Sequence, residues 1–239
     1  MALSELGWFN GISAIISLSI SVALGLIFIY KSKKLGANLL MYAGLMILGG
    51  SGLYLGVSLD FLSVFFTGVN MDNSIGMRGI LSYMWVPIIL IFALYLGTTL
   101  MDMKKKWLIL SIYIGLAVLF EYLLFFHANK SFDFVYPIDV GKLPGDELID
   151  TSFQEGYWTF IMLAFFLLSG FVIVGIGFLI KGAQSVGSLR KKFYLLSFGT
   201  TIFLVCGAME SLFSLPLILV INRSGMMSAA FFFYFGLKT

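Results

Sequence analysis

Five ionisable residues lie within or beside long apolar stretches of this sequence, where a charge indicates a structural or functional role: Asp60, Arg78, Glu121, Glu210 and Arg223. A charged side chain at membrane depth is costly unless it is paired or hydrated. Three acids against two bases leave one acid free to bind a cation or a proton. Glu121, which has no obvious partner along the chain, is the candidate for that role.

The closest of these charges in sequence are Glu210 and Arg223. They are the only two charges in the 45 residues from Phe193 to Leu237, a stretch long enough for two membrane crossings. A turn at Ser214–Pro216 brings the two helices back antiparallel. At 1.5 Å per residue the depths of the two side chains then differ by about 4 to 5 Å, which the long arginine side chain can cover. We predict an ion pair between them.

All five residues are expected in the outer third of a helical bundle, at five different helices or helix ends. The inner half carries no ionisable side chain except at its rim. This asymmetry predicts a polar vestibule that opens outward over a dry floor. Three interpretations remain open: an ion-pair cluster that fixes helix packing, a ligand or ion site, and plain exposure to solvent.

The sequence offers no signature of catalysis or metal binding. It contains no HExxH, GxSxG or Walker motif, one cysteine (Cys206) and one histidine (His127). We expect no enzyme activity, no cofactor and no metal site. Nothing in the composition indicates a nucleic-acid partner.

The composition and the long runs without charged residues identify the class of protein. Of the residues, 60% are hydrophobic and 11% charged, and the mean hydropathy is +1.01, whereas soluble chains carry about 25% charged residues. The runs predict an all-α, polytopic membrane protein, a single domain over residues 1–239 with seven transmembrane helices. The predicted spans are 8–30, 37–59, 79–101, 107–126, 157–180, 193–214 and 216–237.

The distribution of basic residues predicts orientation. On this topology 11 of the 15 Lys and Arg residues fall on one face, with Asp102 as the only acid there. The positive-inside rule makes that face cytoplasmic. We therefore expect the N-terminus outside, the C-terminus inside, and a multi-pass protein of the cell membrane.

Connections and helix features add local predictions. The external loop 127–156 is acidic, and the alternation in Phe132–Val140 favours a strand within an ordered cap, a hairpin over the bundle mouth. Asp60 is expected to end the second helix, with 61–69 as an interfacial turn or a helical extension. Pro87 should kink the third helix. Ser13, Ser17, Ser21 and Gly25 form a stripe of small residues typical of close helix packing.

Several short segments carry a resemblance to known proteins: Tyr30–Lys34, Leu81–Pro87, Leu189–Phe193 and Tyr234–Lys238. Over the whole chain they resemble the seven-helix membrane modules of prokaryotic sensor proteins, and uncharacterised archaeal membrane proteins of the same size. The resemblance implies a signalling partner, but we expect no cytoplasmic output domain in this chain. The topology also resembles microbial rhodopsins, yet the last helix lacks the lysine that would bind retinal.

Two other functional classes compete with a receptor. Helices 1–3 and 5–7 each combine a basic inner loop, an outer acid and an arginine, a pattern similar to the 3+1+3 repeat of small transporters. An accessory subunit of a membrane complex is the third class. A transporter needs a polar path to the cytoplasm, so the apolar inner half favours a receptor-like or sensor-like protein of unknown ligand, surrounded by the lipid bilayer.

Overall fold

The computed structural model describes residues 3–212 and 216–238. Within these residues the chain is largely helical, with one two-stranded antiparallel sheet. Residues 213–215, which carry most of the predicted turn between the last two helices, lie outside the described residues.

The helices in chain order are α1 (Glu5–Leu35), α2 (Asn38–Gly52), α3 (Leu55–Thr67), α4 (Met77–Tyr83), α5 (Val86–Leu100), α6 (Lys106–Phe126), α7 (Ala128–Ser131), α8 (Trp158–Gly170), α9 (Gly177–Gln184), α10 (Gly187–Leu212) and α11 (Pro216–Leu237). A π-helical segment, Phe171–Ile176, joins α8 to α9. The strands are β1 (Phe132–Val135) and β2 (Asp150–Phe153). The hydroxyl of Ser4 accepts the N–H of Gly7 at 3.0 Å and caps the start of α1.

Six helical stretches of the described chain are long and apolar enough to cross a membrane: Glu5–Leu35, Met77–Leu100, Lys106–Phe126, Trp158–Gln184, Gly187–Glu210 and Leu217–Leu237. The bent pair of α2 and α3 brings the number to as many as seven. The protein is therefore an all-α, multi-pass integral membrane protein, as the charge-free runs predict.

The second predicted span differs most from expectation. It breaks after Gly52, and α2 and α3 meet at 44°. Asp60 was predicted to end this helix, and that prediction is wrong: Asp60 lies inside α3, which continues to Thr67. The helical extension of 61–69 is confirmed as far as Thr67. Glycine-rich sequence before the break removes the side chains that would keep the helix straight.

Two other local predictions have clear outcomes. The helix around Pro87 is interrupted at Met84 and Trp85, between α4 and α5, so that Pro87 lies in the first turn of α5, where its missing N–H is tolerated. The basic segment 181–192 was predicted to connect the spans 157–180 and 193–214 as a loop. It is instead helical except near Ser185 and Val186.

The helices form a closed arrangement around an apolar core. α1 packs on α2, α3 and α11; α2 also packs on α5; α10 packs on α11, α9 and the π-helical segment, which returns to α5. α6 lies at the edge, against α5 and α8. The small-residue stripe of α1 is a packing face as predicted, since Ser17 and Ser21 are buried and Gly25 meets the backbone of Gly44.

The bundle has two distinct ends. At the end we call the hairpin end, β1 and β2 pair antiparallel with Phe132 opposite Phe153, and the N–H of Ser4 donates to the carbonyl of Asp146 at 2.8 Å. At the other, the basic end, Lys31 Nζ donates to the hydroxyl of Tyr234 at 2.9 Å. The hairpin within 127–156 is confirmed, but the strand predicted over Phe132–Val140 ends at Val135, and Pro137–Val140 forms a short 3-10 helix.

Candidate functional site

The predicted ion pair between Glu210 and Arg223 is present. Arg223 Nε donates to Glu210 Oε1 at 2.8 Å and joins α11 to α10. The same guanidinium reaches α1, where Nη1 donates to the carbonyl of Asn10 at 2.9 Å and to the hydroxyl of Ser13, and Nη2 donates to Asn10 Oδ1 at 2.8 Å. Arg223 thus ties three helices together, and its charge and its donors are matched.

Asp60 serves a different purpose, because it holds the connections of the hairpin end. It is fully buried. Its carboxylate accepts the N–H of Met71 at 3.0 Å, the N–H of Ile149 at 2.8 Å, and the side-chain amide of Asn70 at 3.2 and 3.3 Å. Charge-assisted hydrogen bonds of this kind are stronger than neutral ones. Asp60 therefore anchors both the segment after α3 and the chain that leads into β2.

Asn70 extends this anchor to the loop between the strands. Its Nδ2 also donates to the carbonyl of Glu147 at 2.9 Å, and its Oδ1 accepts the N–H of Gly145 at 2.8 Å. Glu147 in turn accepts from Ser4 Oγ and from Lys142 Nζ, each at 2.6 Å. The hairpin is consequently fastened to both α1 and α3.

Arg78 is a buried charge whose donors are only partly matched by the protein. It lies in the first turn of α4 and is only 5% exposed. Its side chain donates from Nη1 to the hydroxyl of Thr151 in β2, while Nε is buried and has no hydrogen-bond partner in the described part of the chain. Among the described residues no carboxylate lies within 4.0 Å of the guanidinium.

Backbone contacts fix the position of Arg78. Its N–H donates to Asn73 Oδ1 at 2.8 Å, and Asn73 Nδ2 donates to the hydroxyl of Tyr136 at 3.2 Å. On the other side α3 approaches so closely at Gly56 that any side chain there would overlap the carbonyl oxygen of Arg78. Glycine at position 56 is required for this approach.

A polar cavity of about 110 Å³ brings three of the five predicted residues together. Arg78, Glu210 and Arg223 all line it, along with other polar side chains: Asn10, Tyr54, Ser82, Tyr83, Asp150 and Thr151. These come from α1, the turn between α2 and α3, α4, β2, α10 and α11. A space of this size holds several water molecules or the head of a small ligand.

The other two predicted residues stand apart from this cavity. The carboxylate of Asp60 accepts the hydrogen bonds from the loop groups described above. Glu121 belongs to α6, which packs on α5 and α8 rather than on the helices that carry the other charges. Its Oε2 is buried without a hydrogen-bond partner among the described residues.

An apolar cavity of about 100 Å³ lies next to the polar one. Leu53, Tyr83, Gly207 and Met226 line both. The rest of its wall is almost entirely hydrocarbon, including Leu90, Leu163, Phe166 and Val174 from the middle of the bundle. The polar cavity therefore has an apolar space beside it.

Sequence reasoning missed Thr151, Asn10 and the apolar cavity. Asn10 left a signal, as an amide inside an otherwise apolar run. Thr151 left none, because its contact with Arg78 spans 73 positions along the chain and depends on how the hairpin folds back. Among the described residues, no group of three His, Cys, Asp or Glu side chains is placed to hold a metal ion.

Comparison with known proteins adds no relative. No protein-family model, no curated protein and no solved structure matches this chain.

Proposed function

We propose that this chain is a receptor-like or sensor-like protein of the cell membrane, with seven crossings and an extracellular ligand site in the polar cavity. The observation that carries the proposal is Arg78, a buried cation in the polar cavity, whose Nε has no hydrogen-bond partner within residues 3–212 and 216–238. Buried charges in membrane helices normally find full pairing unless a ligand or water completes it. Structural arginines resemble Arg223 instead, with every donor group bonded to protein.

The seven crossings treat α2 and α3 as one bent span. With the N-terminus outside, the hairpin end is extracellular and the basic end is cytoplasmic, in agreement with the positive-inside rule. The contact between Ser4 and Asp146 supports this reading, since four crossings separate the start of α1 from the hairpin. A ligand would then enter from the side on which the hairpin lies.

A transporter is the second candidate, and the cavities argue against it. Transport requires a second, inward-opening path lined by groups that accept the solute. The space adjoining the polar cavity is apolar instead, lined by side chains such as Leu90, Phe166 and Val174. A dry region of this kind supports a binding protein whose signal passes through helix movement or a partner subunit.

Cysteine labelling from each side of the membrane tests orientation and access together. In a Cys206→Ser background, single cysteines replace Leu143 (71% exposed, hairpin end), Val186 (85% exposed, basic end) and Val174 (2% exposed, apolar cavity). A membrane-impermeant maleimide should label Leu143→Cys only in intact cells, Val186→Cys only in inside-out vesicles, and Val174→Cys in neither. Labelling of Val174→Cys from the cytoplasmic side would favour transport, and exchange of the other two would reverse the orientation.

A further inference from the structure

The ligand of this cavity can be narrowed to a chemical class, an inference that rests on the proposed function. The polar cavity and the apolar cavity adjoin, since four residues line both. One carries an unmatched cation and the other is hydrocarbon. A molecule that fills both must combine a charged head with an apolar body.

The charges around the polar cavity determine the sign of the head. Arg223 and Glu210 neutralise each other within 2.8 Å. Asp150 is exposed on β2, where its Oδ1 accepts the N–H of Thr151 at 2.8 Å. Asp60 attracts Arg78 from a distance, but its carboxylate is occupied by Met71, Ile149 and Asn70. Asp150 also attracts Arg78 without contacting it, so Arg78 and Asp150 are the two cavity charges that have no counterion in contact among the described residues. Of the two, only Arg78 is buried.

The hydrogen-bonding groups at Arg78 suit an oxyanion. A guanidinium presents five N–H donors in a planar fork that matches a carboxylate or a related oxyanion. Nη1 is bonded to Thr151 Oγ1, whereas Nε is free. Because the hydroxyl of Thr151 accepts from Arg78, its own hydrogen remains available, and no acceptor for it is present among the described residues. One anion can thus receive bonds from both side chains.

The adjoining space sets the size of the body. An engineered apolar cavity of about 150 Å³ binds benzene, a body of about six carbons. The cavity of about 100 Å³ here, with the region shared by Leu53 and Met226, is suited to a chain or ring of similar size. Its walls offer dispersion contacts and almost no polar group that would favour water.

We propose that the two cavities together bind a small anionic amphipath, with a singly charged oxyanion head at Arg78 and Thr151 and an apolar body of about six carbons in the apolar cavity. A soluble short-chain acid and a lipid-derived acid share this chemistry. Either acid would bind Thr151 of the hairpin and Arg78 of α4 at the same time.

Binding measurements on the full chain in lipid nanodiscs test this class. The probes are hexanoate, acetate, hexan-1-ol and hexylamine, titrated by calorimetry and by thermal shift, with empty nanodiscs subtracted. Hexanoate should bind about 10- to 100-fold more tightly than the other three probes. Hexan-1-ol lacks the charge, acetate lacks the apolar body, and hexylamine carries a positive charge instead of a negative one. Equal affinity for hexanoate and hexan-1-ol would overturn the anionic head, and equal affinity for hexanoate and acetate would overturn the apolar body. If no probe binds to the folded protein, the proposed ligand class is wrong, and water alone completes the hydrogen bonds of Arg78.

Variants assign the binding to these residues. Arg78→Gln should weaken hexanoate binding about 10- to 100-fold and leave hexan-1-ol binding unchanged, whereas Lys130→Gln, which removes an exposed cation from the same end, should change neither. Ala93→Leu, which fills the apolar cavity, should weaken hexanoate but not acetate. Thr151→Val keeps both charge and shape, so a loss of hexanoate binding there supports the site even if Arg78→Gln fails to fold. If Thr151→Val and Ala93→Leu both leave hexanoate binding unchanged, hexanoate binds elsewhere and the proposed site is wrong.

Two further measurements identify the source of the acid and test the proposed function independently of the ligand. An acyl acid that is extracted from the wild-type protein but not from Arg78→Gln would identify the bilayer as the source; exchange with aqueous hexanoate and no extracted acid would identify the solution. The maleimide pattern at Leu143, Val174 and Val186 depends on no ligand. Failure of hexanoate binding with that pattern intact overturns only the ligand class, while a reversed pattern with binding intact overturns only the extracellular receptor.

Discussion

Asp60 provides the sharpest test of how the hairpin is held. In Asp60→Asn the shape of the side chain is kept, but one acceptor oxygen becomes an NH₂ donor. The backbone N–H groups of Met71 and Ile149 use different oxygens of the carboxylate. Whichever way the amide turns, one of the two loses its acceptor.

The size of the effect follows from that single loss. A hydrogen bond to a charged group contributes about 1.5–3 kcal/mol, and every 1.4 kcal/mol is tenfold in an equilibrium constant. Local opening at one of the two amides should therefore become about 10- to 150-fold more frequent. The increase should appear in the segments around Met71 and Ile149 and leave the middle of α8 unchanged.

Hydrogen–deuterium exchange with mass spectrometry measures this opening directly. The control is Asp133→Asn, because Asp133 is an exposed carboxylate on the same hairpin. That variant should exchange like the wild type. Wild-type protection of both Met71 and Ile149 in Asp60→Asn would refute the reasoning, because the carboxylate would then not be their acceptor.

Four further substitutions probe the bundle, each followed by thermal unfolding in mild detergent. Glu210→Gln and Arg223→Leu should each destabilise the protein by about 3–5 kcal/mol, and the double variant should lose less than the sum, because breaking a buried pair leaves one charge uncompensated. Gly56→Ala should destabilise by about 1–3 kcal/mol, since the new methyl group overlaps the carbonyl of Arg78. Glu121→Gln should raise the Tm, because a buried carboxylate oxygen without a partner is replaced by an uncharged amide.

Each of these has its own control and its own contradiction. Strictly additive losses at Glu210 and Arg223 would show that the pair does not couple. Gly115→Ala is the control for Gly56, because position 115 on α6 has open space and the change should stabilise by about 0.5–1 kcal/mol. Equal effects at the two glycines would deny the close approach of α3 and α4. A lower Tm in Glu121→Gln would mean that the carboxylate has a partner in the membrane.

The apolar runs and the isolated charges made much of this molecule predictable. Long charge-free runs must become membrane helices, because unsatisfied backbone groups are too costly in lipid. The pair of Glu210 and Arg223 followed from two charges at matching distances from one turn. The strand in the loop followed from the alternation at Phe132–Val140.

The rest depended on contacts that no local pattern encodes. Asp60 looked like a helix end because acids usually stop apolar runs, yet α3 continues because the carboxylate is satisfied by backbone groups up to 89 positions away. Gly52, at the break, lies so close to Trp85 just before α5 that an added side chain would overlap the indole ring, a contact that the local sequence does not encode. The apolar cavity is lined by residues of seven elements, so no single stretch of sequence reveals it.

The central claim is that the polar cavity faces outward and carries an unmatched positive charge at Arg78. The most direct measurement is the rate at which Thr151→Cys, in a Cys206→Ser background, reacts in intact cells with two impermeant thiol reagents of equal size and opposite charge. The anionic reagent should react about tenfold faster than the cationic one, and Arg78→Gln should remove that preference. Equal rates, a preference for the cationic reagent, or reaction only in inside-out vesicles would contradict the account.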